Sequence, residues 1–171
     1  VVYNLGCDEF DASKLKGAFV VYQGHHGDAG ARHADVIFPG AAYVEQSGTY
    51  VNTEGRAQMT ARAHFPYGEA REDWAIIRAL SDRIDKTLPY DDVLALRQAM
   101  ISDAPALGRI GQRPGDLSLD LTKVGKKGVV GTQPFRSPVR DYYLTNPIAR
   151  ASKTMAECSA SISGAFKVAA E

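Results

Sequence analysis

Three short apolar runs, none of them alternating, constrain the fold of this chain more than any other feature. Val1–Leu5 (VVYNL), Ala18–Gln23 (AFVVYQ) and Ala34–Gly40 (ADVIFPG) are rich in β-branched and aromatic residues and flanked by Gly or Pro. A strand with one wet face alternates polar and apolar residues. These runs do not, so they are expected to be parallel strands covered on both faces. GCDEFDASKLKG joins the first two, about a dozen residues, enough for a parallel crossover through a short helix. Pro39 stops the third. The pattern β-α-β-loop-β predicts half of an open, Rossmann-like α/β sheet.

Beyond Gly40 the text changes. GTYVN (Gly48–Asn52) and GRAQMTA (Gly55–Ala61) read as extended, with TEG as the turn between them. From Glu69 the sequence becomes helical, with Trp74, Ile77, Leu80 and Ile84 on one stripe and Glu72 and Asp73 near the favourable N-terminal end. Tyr90–Ser102 is a second amphipathic helix, capped by Asp91 or Asp92 and ended by Pro105. Leu107–Pro138 is rich in Gly, Pro, Lys and Ser and reads as a long surface arm. A last helix restarts with Asn146 as cap and Pro147 in the first turn; Ile148, Ala151, Met155, Cys158, Ile162 and Phe166 form its apolar stripe. The expected segments are 1–67 for the α/β portion, 68–104 for a helical pair, 105–140 for an extended arm and 141–171 for the C-terminal helix.

Charge removes two functional classes. Lys+Arg and Asp+Glu both count 20, so there is no basic excess to serve nucleic acid or a membrane surface. Cys7 and Cys158 are the only cysteines and form no disulfide or metal-ligand spacing, which makes a reducing compartment the default. The apolar runs are too short to span a bilayer. The chain opens on VVYNLG with no initiator methionine and is expected to be a piece of a longer polypeptide.

The loop GHHGDAGARH, Gly24–His33, invites three chemical readings. His25, His26, Asp28 and His33 are metal-ligand types, yet their spacing matches no zinc pattern, and a polar loop between strands is the simpler reading. Gly24, Gly27 and Gly30 follow a strand and could let a backbone approach a pyrophosphate. Their G-x-x-G-x-x-G spacing is neither the dinucleotide fingerprint nor the Walker loop, so turns and close packing explain them better. Cys7 and Cys158 read as small core hydrophobes, and Ser47 lacks a nucleophile elbow. Glu45, Glu54 and Arg56 could form an ion pair across the hairpin turn, most simply a structural one. No catalytic residue is expected.

The residues also carry a resemblance. VVYQGHHGDAGARHADVIFPGAAYVEQSGTYVNTEGRAQ, AREDWAIIRALS, TLPYDD and DYYLTNPIARASKTMAEC resemble the C-terminal region of the large iron–sulfur subunits of respiratory complex I, NADH:quinone oxidoreductase. The match covers most of the chain except the Leu107–Pro138 arm. More widely, Glu45, Gly48, Thr49, Asn52, Glu54, Gly55 and Arg56 look like a stretch of molybdopterin-dependent oxidoreductases that lies near the pterin nucleotide. The resemblance implies a molybdopterin-oxidoreductase-like domain that kept the fold and lost the cofactor, so no cofactor is expected in this segment. It implies 4Fe-4S and 2Fe-2S clusters held by cysteines elsewhere in the parent subunit. It also implies other peripheral-arm subunits and the rest of its own subunit as partners, on the mitochondrial matrix side or the bacterial cytoplasmic side of a membrane, with no nucleic acid and no direct membrane insertion. A rival reading is a living pterin- or nucleotide-binding half-domain using Gly24, Gly27, Gly30, Asn52 and Arg56. A second rival is a metal-binding module using His25, His26, Asp28 and His33.

Overall fold

A computed structural model describes residues 1–115, 120–139 and 141–168. The chain forms two compact units, Val1–Gln112 and Arg113–Glu171. The first is mixed α/β. Strands β1 (Val2–Leu5), β2 (Val20–Gly24) and β3 (Val36–Pro39) form a parallel sheet in sequence order, with β2 in the centre. Val2 pairs with Val20 and Val21 with Val36, so the three strands start nearly level. Asp35 sets that start: its backbone N–H donates to the Val20 carbonyl at 2.8 Å, and its carboxylate accepts from the Val20 N–H at 2.7 Å. The crossover between β1 and β2 holds a 3-10 turn at Ala12–Leu15, capped by Asp11, as the sequence leads one to expect.

The sheet is covered less than its apolar strands predict. Val20 and Tyr22 of β2 are each 2 % exposed, whereas Leu5 on β1 and Ile37 on β3 are each 53 % exposed. Within this unit, helix α2 (Asp73–Arg83) leaves an apolar groove of about 490 Å³ beside Phe38 of β3. A run of apolar residues reports that a strand is suited to burial; it does not supply the layer that buries it.

Helix α2 begins later than its periodicity suggests. Arg71 forms a parallel bridge with Gly40, its N–H donating to Pro39 at 3.1 Å and its carbonyl accepting from Ala41 at 2.9 Å. Residues that could have opened the helix therefore prolong the sheet pattern. Glu72 occupies the cap position without capping; its carboxylate accepts from Trp74 Nε1 and from Arg62. Ile84 sits past the helix end and is 59 % exposed, so it leaves the expected stripe.

Strands β4 (Thr49–Val51) and β5 (Ala57–Met59) form the expected antiparallel hairpin. Helix α3 (Val93–Asp103) resolves the choice of cap: Asp92 accepts from the N–H groups of Leu94 and Ala95, both at 2.8 Å. Asp91 instead pairs with Arg78 at 2.8 Å. Asp92→Ala is expected to cost about 1–2 kcal/mol of stability, read as a lowered denaturant midpoint, while Asp91→Ala should stay within about 0.5 kcal/mol. Equal effects would mean the cap assignment is wrong.

In the second unit, α4 (Leu121–Val124) is a single turn, followed by a stretch without regular secondary structure. Residues 116–119 and 140 of the predicted arm lie outside the described residues, as does the side chain of Phe166. The expected single C-terminal helix is two: α5 (Pro147–Ala151), capped by Asn146, and α6 (Lys153–Val168). Ser152 makes the break. Its backbone is extended (ψ 122°) and its hydroxyl accepts from the Met155 N–H at 3.3 Å, so it starts a new helix instead of continuing the old one.

Candidate functional site at the carboxyl edge of the sheet

In open α/β sheets ligands gather beyond the carboxyl ends of the strands. Here that edge holds the Gly24–His33 loop, Gly40 and the start of α2. Two buried polar clusters organise it.

The first lies between β1 and the loop. The Asp8 carboxylate accepts the Gly30 N–H at 2.8 Å and the Tyr22 hydroxyl at 3.4 Å. The Asn4 side chain closes the strand end, donating to the Cys7 carbonyl at 2.8 Å and accepting from the Cys7 N–H at 2.9 Å. Gly30 opens into this cluster so tightly that a Cβ would lie 2.5 Å from the Cys7 carbonyl oxygen and 2.7 Å from the Tyr22 ring. A Cβ on Gly24 would lie 2.5 Å from the Tyr22 hydroxyl. These two glycines are packing positions.

Burial first, and then the Asp8 carboxylate, push the Tyr22 hydroxyl from 10.0 up to about 12. The folded value lies above the unfolded one, so this stabilising contribution is complete below pH 10 and is lost as pH rises through about 12. Spectrophotometric titration should therefore find one tyrosine ionising near pH 12. Tyr22→Phe should remove that step and flatten the alkaline fall in stability between pH 10 and about 12. A phenol titrating normally at position 22 would contradict the buried contact.

The second cluster joins the sheet to α2. Gln23, 0 % exposed, donates from Nε2 to Asp73 Oδ1 at 2.8 Å, and its Oε1 accepts from the Tyr3 hydroxyl. Gln46 donates to the other oxygen, Asp73 Oδ2, at 2.9 Å and accepts from the Asp73 N–H at 3.2 Å. One carboxylate thus ties β2, the loop before β4 and the first turn of α2 together.

The sequence-derived candidates are dispersed around these clusters. His25 and His26 face each other, Nδ1 to Nδ1 at 2.7 Å, with rings edge to face. Only one of those nitrogens can carry the shared proton, and partial burial of His25, aided by His26, holds its pKa below 6.5. Asp28 stands at the cap position of α1 (Ala29–Arg32) without a capping hydrogen bond from its side chain, and His33 follows the end of that turn. Among the described residues no three His, Cys, Asp or Glu side chains gather as a metal would need. Gly27 has a positive φ of 55° and serves as a turn residue. Asn52 accepts the N–H groups of Glu54 and Arg56, both at 3.0 Å, and so shapes the hairpin turn. Arg56 places two nitrogens on one oxygen of Glu54 and a third on the Gly111 carbonyl at 2.6 Å. Glu45 is absent from that pair; it caps its own turn by accepting the Ala42 N–H at 2.9 Å. Cys7 is exposed, not a core hydrophobe, because Asn4 holds its backbone in a turn at the strand end.

Sequence reasoning missed the residues that matter most here: Asp8, Gln23, Gln46 and Asp73. Gln23 left a legible signal, a lone amide inside an otherwise apolar strand, which requires a buried partner. Asp8 left none.

The chemistry available is limited by these contacts. Fe–S clusters need about four thiolates, and the chain has 2 cysteines. The Gly30 N–H that a pyrophosphate would use is already taken by a carboxylate.

Comparison with known proteins gives the family. Residues 1–83 match the molybdopterin oxidoreductase family, and residues 103–158 match the C-terminal family of the NADH-ubiquinone oxidoreductase G subunit. The chain is 48 % identical over 165 residues to the mitochondrial 78 kDa subunit of NADH-ubiquinone oxidoreductase from Candida albicans, covering 92 % of this chain and 23 % of that protein. It is 46 % identical over 162 residues to the mitochondrial NADH dehydrogenase [ubiquinone] iron-sulfur protein 1 of Solanum tuberosum, covering 93 % of this chain and 22 % of that one. The NADH-quinone oxidoreductase G subunit of Rickettsia bellii is 41 % identical over 158 residues, covering 92 % and 23 %. The chain therefore spans less than a quarter of the length of these relatives. With matches to both family models and 41–48 % identity to these relatives over 92 % of its own length, it belongs to the family of the NADH-quinone oxidoreductase G subunit and its mitochondrial 75 and 78 kDa counterparts.

Proposed function

We propose that this chain is a structural part of the peripheral arm of NADH:quinone oxidoreductase, the enzyme that passes electrons from NADH to quinone and couples this to proton translocation. Its role is scaffolding: it carries no catalytic residue, cofactor or metal of its own. The observation that carries this reading is the Gly24–Gly30 loop. Its glycines make room for the protein's own Tyr22, Asn4 and Asp8, so that internal groups occupy the space and the N–H that a ligand phosphate would need. The similarity to oxidoreductase subunits over 92 % of the chain supplies the assembly. The iron–sulfur clusters of the parent subunit are bound by cysteines outside this segment.

No helix among the described residues is long and apolar enough to cross a membrane. In this reading the segment belongs to the peripheral part of the membrane complex, on the matrix side in mitochondria or the cytoplasmic side in bacteria. The rival reading, a living pterin or nucleotide site, is not favoured by relatives such as these, which are named as subunits of this oxidoreductase.

Native separation of solubilised membranes, with iron, zinc, molybdenum and pterin analysis, tests the proposal. The chain should migrate with a very large membrane assembly whose iron assigns to other segments. Stoichiometric pterin or metal retained on this segment, or migration apart from the assembly, would overturn it.

A further inference from the structure

Within the second unit, residues 125–139 (GKKGVVGTQPFRSPV) combine three properties that a self-sufficient surface loop does not need together. Val129 is 101 % exposed and Phe135 107 %, as open as in an extended peptide, with Val130 close behind. Among the described residues no backbone hydrogen bond involves residues 126–136. Gly128 and Gly131 have open space where a Cβ would be and neither has a positive φ, so nothing among the described residues requires glycine there. Apolar side chains, bare backbone and purposeless glycines are what an extended segment shows when it is meant to lie flat against another surface.

Charge identifies that surface. The whole chain is neutral, yet this stretch holds Lys126, Lys127 and Arg136 and no Asp or Glu. The stretch has no helical apolar face to enter a bilayer. A protein surface is the better match. We propose that residues 125–139 are a docking arm for an acidic surface of a neighbouring subunit, with one apolar recess for Phe135 and another for Val129 and Val130. The inference rests on the proposed place of the chain in the oxidoreductase. Lys126, Lys127 and Arg136 steer and register the arm; Phe135 anchors it.

The test uses the complete subunit in its membrane assembly, with a photoreactive benzoylphenylalanine at position 135 and mass-spectrometric identification of what it captures. The expected product is a peptide of another subunit dense in Asp and Glu. Its yield should fall at least about tenfold in a K126E/K127E/R136E background, and more weakly as salt is raised. Phe135→Ala should release the arm to protease while the subunit stays in the assembly. Capture of lipid, capture only within the same chain, no capture, or a yield indifferent to charge reversal would each overturn the docking arm while leaving the scaffold reading intact. If the unsubstituted subunit fails to migrate with the assembly, the scaffold reading falls and this inference with it.

Discussion

Asp73→Ala is expected to lower the stability of the first unit by about 3 kcal/mol. The carboxylate accepts from Gln23 and Gln46 on separate oxygens, at 2.8 and 2.9 Å. Alanine would leave the fully buried Gln23 amide only the longer bond to the residue 73 carbonyl, at 3.2 Å, and its oxygen is already engaged by Tyr3. A buried donor left without a partner costs about 1–3 kcal/mol, and a hydrogen bond to a charged acceptor contributes about 1.5–3. Asp73→Asn keeps the shape but offers only one acceptor, so one of the two amides would face another N–H group. It should cost about 1–2 kcal/mol. Denaturant unfolding of both variants, together with Gln46→Ala and the double variant, gives the decisive quantity. The Gln46–Asp73 coupling should exceed about 1 kcal/mol; additivity within about 0.5 kcal/mol would show that the two side chains act independently.

Gly30→Ala should cost about 2–3 kcal/mol for a different reason. The added methyl carbon would stand 2.5 Å from a backbone oxygen and 2.7 and 2.8 Å from Tyr22 and Asn4. A flexible side-chain end could move aside, but the Cys7 carbonyl is held by the Asn4 amide, and Tyr22 is packed in the centre of the sheet. Overpacking at such a site costs about 1–3 kcal/mol. Gly128→Ala is the matched control, since nothing lies within 4 Å of its missing Cβ; it should be neutral within about 0.5 kcal/mol. If Gly30→Ala were equally neutral, the loop would have room to spare, and a phosphate could again be accommodated there.

Much of the local structure was legible. The three strands, the hairpin, the Asn146 cap and the α2–α3 pair follow from residue type and period, because short-range sterics and hydrogen bonding set them. What misled was longer in range. Residues 69–71 have helical texture, but Arg71 bridges Gly40, because a sheet hydrogen bond to Pro39 outcompetes one more helical turn. Ser152 reads as an ordinary helix residue, yet its hydroxyl starts a second helix. Of the candidate site, the Glu54–Arg56 pair was visible because its members lie two residues apart. Asp8 with Gly30 and Gln46 with Asp73 were not, since they lie 22 and 27 residues apart.

Composition, spacing and residue-by-residue likeness were enough to read the parallel α/β architecture, the lack of a cluster-binding cysteine motif in this segment and the family. What packs against the glycine loop is a matter of tertiary contacts. Whether Gly30 faces a ligand or a neighbour depends on which side chains the fold carries to it, and here Asn4, Asp8 and Tyr22 arrive from β1, its following turn and β2. The tertiary structure also showed Leu5 and Ile37 half-exposed among the described residues. Strand propensity is a local property, whereas burial belongs to whatever packs on top.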